Sequence, residues 1–149
     1  MPIEIRITGA DQFRDVARQI RGANRELRKE LARAMTKATK PLKVAVKRSA
    51  RTRLPRQGGL GRRVARAKMA TKTKVAGPTA NVSIVAVHKY DLDAIDRGRV
   101  KHPTYGHKPW VIQLVRPGYW TEPLVQGGPQ VRQEIVKAVD GIAKKMERG

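Results

Sequence analysis

The sequence contains no cysteine. Disulfides and thiolate metal sites are therefore excluded. Aromatic residues make up only 4% of the chain, so any core must rest mainly on Val, Ile, Leu and Ala. No apolar run approaches the roughly 18 residues that a membrane-spanning helix requires, and no membrane partner is expected. The first residues, MPIEIRITGADQF, carry acids early and hold no signal-like apolar stretch. A soluble chain, cytoplasmic at synthesis, is the expectation. The most informative shortage is of negative charge. No Asp or Glu occurs between Leu31 and Tyr90, an interval that holds 16 Lys and Arg.

The 149 residues carry a net charge of +21, and that charge is unevenly placed. Residues 1–76 hold 22 Lys/Arg against 5 Asp/Glu, whereas residues 77–149 hold 11 against 7. Such a field repels copies of itself at low salt and attracts polyanions or acidic protein surfaces. The length suits one domain over 1–149.

Local patterns divide the chain into alternating strand and helix signals. IEIRIT at 3–8 alternates isoleucine with polar residues, which predicts a strand with one buried face. Asp11 can cap a helix carrying Phe13, Val16, Ala17 and Ile20. A longer helix is predicted from about residue 24 to about residue 53, with Leu27, Leu31, Ala34, Ala38, Leu42 and Ala45 as its narrow apolar stripe. Pro41 lies inside it and predicts a kink near Lys40. LPRQGGLGRR then breaks the pattern. A flexible basic loop and hairpin are expected over residues 54–80. In that hairpin Met69, Thr71, Thr73 and Val75 share one face and Lys68, Lys72 and Lys74 the other. VSIVAV at 82–87 completes it.

Residues 88–109 read as irregular, apart from one helical turn in YDLDAIDRG that ends at Gly98. WVIQLV from Trp110 reads as a strand stopped by Pro117-Gly118. The Gly127-Gly128-Pro129 triplet should break the chain, with Pro129 opening a last helix on Val131, Ile135, Val139, Ile142 and Met146. The predicted fold is α+β: an antiparallel sheet packed with a long N-terminal helix and a C-terminal amphipathic helix.

Enzymatic chemistry finds little footing. His88, His102 and His107 are the only histidines, and they lack the carboxylate pattern of a metal site. GGLG at 58–61 lacks the Lys-Ser/Thr of a phosphate-binding loop. Asp91, Asp93 and Asp96 lie in no calcium-type loop and are expected instead to neutralise Arg97 and Arg99. No cofactor and no catalytic residue are expected. The strongest compositional signal is cationic. Arg51, Arg53, Arg56, Arg62, Arg63, Arg66, Lys68, Lys72 and Lys74 fall within 24 residues. They are candidates for contact with a polyanion or an acidic partner. The absence of interleaved aromatics speaks against stacking on single strands.

The few aromatic residues are concentrated. Four of six, Tyr105, Trp110, Tyr119 and Trp120, fall in DRGRVKHPTYGHKPWVIQLVRPGYWTEP at 96–123. Trp and Tyr bury large area at small entropic cost and mark interface cores. Pro103, Pro109 and Pro117 reduce the backbone freedom of the block. Such a block suits a rigid surface that another molecule can grip. The competing reading is that these rings, Trp110 above all, fill gaps in an aromatic-poor core.

Three stretches stand in a suggestive order: Pro55-x-x-Gly58-Gly59-Leu60 after the long helix, then Arg97-Gly98-x-x-x-His102-Pro103-x-x-Gly106, then Trp110 with Gln113 and Pro117-Gly118. Over essentially its whole length the chain resembles the tail-completion (minor tail, or neck) proteins of long-tailed bacteriophages, particularly those of phages and prophages of actinobacteria. One departure is Arg97 before Gly98, where relatives commonly carry Glu. The resemblance implies a structural virion protein that completes the tail or joins it to the head, and not an enzyme. It implies a homo-oligomeric, sixfold ring that meets adjacent neck, tail-terminator or tail-tube proteins. In such a ring residues 97–120 are expected to dock against the next subunit or ring, with Arg97, His102, Tyr105, Trp110, Tyr119 and Trp120 as candidate interface residues. The cationic segment then has two readings, a clamp on an acidic protein ring, which is preferred, or transient contact with genomic DNA. Its place would be the virion, and the host cytoplasm during assembly. The alternative from another class is a nonspecific nucleic-acid-binding basic protein.

Overall fold

The computed structural model describes residues 3–8, 25–76, 79–104 and 107–148. In chain order the elements are strand β1 (Ile3–Thr8), helix α1 (Arg25–Arg53), a 3-10 turn (Gln57–Gly59), helix α2 (Leu60–Ala65), strands β2 (Lys68–Ala76) and β3 (Thr79–Val87), helix α3 (Leu92–Asp96), strands β4 (Arg99–Thr104) and β5 (His107–Leu114), and helix α4 (Thr121–Arg148). The fold is α+β, with a long N-terminal and a long C-terminal helix and two small antiparallel sheets. The helix expected from Asp11 lies outside the described residues.

These residues form two compact units. One comprises residues 3, 42–69, 86–104 and 107–126, the other residues 4–8, 25–41, 70–76, 79–85 and 127–148. The second unit holds a three-stranded sheet ordered β1-β3-β2. As the central strand, β3 is covered on both faces, and Val82, Ser83, Ile84 and Val85 are all buried. This explains why its sequence is a continuous apolar run rather than an alternating one. On the outer strand β2 the alternation survives: Lys68, Ala70, Lys72 and Lys74 are exposed, and Met69, Thr71 and Thr73 are half-buried. Leu31 and Met35 of α1, and Val131, Ile135, Val139 and Ile142 of α4, complete the buried set. Thr39, fully buried, donates to the Thr36 carbonyl and shares a 3.0 Å hydrogen bond with the Thr71 hydroxyl. A Lys145–Glu30 ion pair ties α4 to α1 in this unit.

In the other unit Leu42, Val46 and Ala50 of α1, with Leu54 just beyond it, form the buried stripe. The same unit buries Val64 and Ala65 of α2, Ala67, Leu92 and Ile95 of α3, and Leu124. The inward face of α1 is thus rotated from the expected one. Met35, Thr39 and Val46 face inward, while Leu27, Ala34, Ala38 and Ala45 sit at its half-covered margins. The segment after α1 is not a loop: it winds into the 3-10 turn and α2, with Gly61 buried. A Cβ on Gly61 would stand 2.7 Å from the Ala50 carbonyl oxygen and 3.3 Å from the Arg51 Cα. Glycine is what lets the start of α2 lie on the backbone of α1.

Neither internal proline ends its helix. Pro41 lies inside α1, and Pro129, expected to open the last helix, lies inside α4. Each removes one backbone hydrogen bond and frees the carbonyl four residues earlier. Pro41 and Lys37 are both exposed, as are Pro129 and Val125. The freed carbonyls therefore lie on water-facing flanks, where solvent can replace the missing partner. The Gly127-Gly128 pair is helical as well, so the last helix begins at Thr121, eight residues before Pro129.

Gly61→Ala should destabilise the chain by about 1–3 kcal/mol through this backbone clash. Urea denaturation of the two proteins would measure it, and an unchanged midpoint would contradict the close approach described.

Candidate functional site

The second sheet is a two-stranded ribbon, β4 with β5. Strand β4 escaped the pattern reading because RVKHPT offers one aliphatic residue and two cations where a buried strand would alternate. Pairing is antiparallel, with Arg99 opposite Leu114, Lys101 opposite Ile112 and Pro103 opposite Trp110 on one face. Val100 opposite Gln113 and His102 opposite Val111 make the other face. The ribbon is almost bare. Trp110 is 53% exposed, Ile112 64% and Leu114 78%. Alternation along β5 puts these three in one row, facing Pro103, Lys101 and Arg99. The Lys101 ammonium lies 6.0 Å from the centre of the Trp110 ring, at the limit of a cation–π contact.

A bare two-stranded ribbon is marginal by itself, and this one is held at its base. The Val115 N–H donates to the Gly98 carbonyl at 2.9 Å, and the Gly118 N–H to the Asp96 carbonyl at 2.8 Å. The Asp96 carboxylate accepts from the Trp120 N–H at 2.8 Å, from the Thr121 N–H at 3.1 Å, and from the Thr121 hydroxyl. Asp96 thus caps α4 from 24 residues away, binding amide donors that the first turn of a helix leaves unpaired. Gly98 has φ +92, and a Cβ there would stand 2.9 Å from the Val115 carbonyl oxygen. Only glycine allows both the turn and the approach. Asp91 caps α3 by accepting from the Ala94 N–H, and Asp93 pairs with Arg97. The acidic triplet therefore builds structure, with one of its members neutralising Arg97 as expected.

Not all the candidate interface residues belong to this surface. Trp110 and Arg97 are exposed. His102 is half-buried on the opposite face of the ribbon, its Nδ1 3.1 Å from the Pro103 carbonyl oxygen. Tyr105 lies outside the described residues. Tyr119 and Trp120 require a correction: they are 1% and 2% exposed, so no neighbour can grip them. Their rings fill the core beneath the start of α4. Burial, followed by the Asp96 charge, pushes the Tyr119 phenol well above its usual pKa. The core-filling reading therefore holds for these two rings and fails for Trp110, the ring it was chiefly applied to. Ile112, Leu114, Lys101, Arg99 and Pro103 were missed. The x-Trp-x-Ile-x-Leu alternation was legible, but nothing local tells an alternating strand that its apolar side faces water.

The cationic candidates also divide. Arg51, Arg56, Arg62, Arg63, Arg66 and Lys68 are exposed within one unit, and Lys72 and Lys74 are exposed on β2 in the other. Arg53 is a correction, since it turns inward and pairs with Glu122. The Arg53 guanidinium holds the Glu122 carboxyl below the usual carboxylate range. Arg63 donates to the Tyr90 hydroxyl at 3.2 Å. His88 Nδ1 accepts from the Tyr90 N–H at 3.2 Å, and burial, with the Lys89 charge, lowers the His88 pKa. Among the described residues no group of His, Asp and Glu is placed to hold a metal ion, and no helix is long and apolar enough to cross a membrane. No protein-family model, curated protein or solved structure matches the chain.

Asp96→Ala should cost about 2 kcal/mol, at the upper end for a lost helix cap because several donors lose one acceptor. Asp96→Asn, which keeps one acceptor, should cost less. Urea denaturation with a far-ultraviolet dichroism readout tests both, and equal losses would contradict the capping role. His88 supplies a pH signature. Its folded pKa lies below the unfolded 6.5, so its contribution is complete above pH 6.5 and fades as pH falls through the folded value. Denaturation midpoints between pH 7.5 and 5 should drop less in His88→Gln than in the parent.

Proposed function

We propose that the chain is a structural assembly protein of the tail-completion type, acting at the head–tail junction of a long-tailed phage. One observation carries the reading: Trp110, Ile112 and Leu114 form one exposed apolar row on a ribbon anchored at its base, whereas the other large apolar side chains exposed among the described residues lie on the ribbon's opposite face (Val111) or on other elements (Val44, Val87 and Val125). Rigid presentation of an apolar row suits docking, because little freedom remains to be lost on contact. A protein that only coats nucleic acid has no use for such a row. The resemblance of the 55–60, 97–106 and 110–118 stretches to neck proteins supplies the biological setting, including a sixfold ring and adjacent neck, terminator or tube proteins. No catalysis is assigned.

A second reading is favoured by the exposed cations between Arg51 and Lys68, which suit a phosphate backbone. The two readings separate experimentally. Lysates of a phage deleted for this gene, viewed by negative-stain electron microscopy, should contain full heads and separate or abnormally ended tails. Normal infectious particles would overturn the assembly reading. If duplex DNA contact is the main role, the Arg62→Gln/Arg63→Gln variant should lower the salt slope of DNA binding by about 2, and the deletion should leave particle morphology intact.

A further inference from the structure

The exposed ribbon limits what can cover it. From Arg97 to Thr121 the chain has no acid and five Lys/Arg. The Trp110–Ile112–Leu114 row therefore lies beside Arg99 and Lys101 with no carboxylate in the ribbon to balance them. Two ribbons of the same chain, row against row, would bring these cations together as the apolar area was buried. Like charges in a desolvated contact oppose association.

A second copy could instead offer a different, acidic surface, but the residues described from Arg25 onward have little acid to spare. Nine Asp and Glu follow Arg25. Seven of them are engaged within the chain: five pair with Lys29, Arg53, Arg97, Lys137 and Lys145, and Asp91 and Asp96 serve as caps. Asp140 and Glu147 remain, and both sit on α4 among Lys137, Lys144 and Arg148. Among the described residues no acidic patch exists to receive the ribbon. Nucleic acid fits poorly as well. Stacking needs successive rings, and the row offers one ring followed by two aliphatic side chains.

We infer that the Trp110–Ile112–Leu114 face docks onto a different polypeptide, one that offers an apolar surface rimmed by Asp and Glu to meet Arg99 and Lys101. The inference rests on the assembly reading only in taking the ribbon to be a docking surface; it holds for any particle or complex in which the chain works. Any ring made of copies of this chain is then closed through other surfaces. Trp110 anchors the contact, and the cations select the partner and orient it.

Ile112→p-benzoylphenylalanine, incorporated in host cells that express the chain with its natural gene neighbours, tests this directly. Irradiation and mass spectrometry should identify a covalent adduct with one different polypeptide, joined through a segment rich in Asp and Glu. Adding Lys101→Glu should lower the adduct yield about tenfold or more, as should Trp110→Ala. Circular dichroism should show each variant folded, since all three side chains are exposed. An adduct with only the chain's own peptides, with nucleotides, or with a segment lacking acids would overturn the inference, and so would no adduct. These outcomes are independent of the deletion experiment. Self-adducts alongside aberrant tails would remove the partner assignment alone, and an acidic-partner adduct alongside normal particles would remove the tail setting alone.

Discussion

One carboxylate organises the unit that carries the ribbon. Asp96 ends α3, and through its side chain and its carbonyl it holds Gly118, Trp120 and Thr121. With the Gly98–Val115 bond beside it, that contact closes the base of β4–β5 and starts α4 in the same place. Ribbon and helix therefore share one origin. The burial of Tyr119 and Trp120 follows, because fixing the turn just before α4 commits both large rings to the core.

Scarcity of acid gives this arrangement its character. In most domains carboxylates are spread over the surface, and some cap helices. Here those after Arg25 are largely used for capping and pairing inside the chain, and the remaining surface is left cationic. Polar satisfaction within the fold and the sign of the surface thus come from the same few residues. Replacing one of them alters local geometry and the outward field together.

Much of the fold was legible in periodicity. The strand signals at 3–8, 68–76 and 82–87, the turn at Asp91–Gly98 and the strand from Trp110 match the observed elements. The C-terminal stripe on Val131, Ile135, Val139 and Ile142 is the buried one. What stayed hidden depended on contacts distant in sequence. A remote cap made Gly127-Gly128-Pro129 part of a helix, although its composition signals a break. Strand β4 exists because β5 pairs with it, and its own residues do not demand an extended form. Aromatic concentration pointed to the right stretch for a candidate surface and to the wrong rings within it. Composition registers that large side chains are present, whereas their direction is set by the Asp96 contact below the ribbon.

The two prolines have a mechanical consequence. One compact unit gives way to the other between Pro41 and Leu42 along α1, and between Gln126 and Gly127 along α4. Each helix therefore lacks one rung of its hydrogen-bond ladder within three residues of that passage. A rod missing a rung has its lowest bending stiffness there. Load carried along either helix from one unit would be taken up first as elastic curvature at these points, leaving the packed stripes on both sides intact.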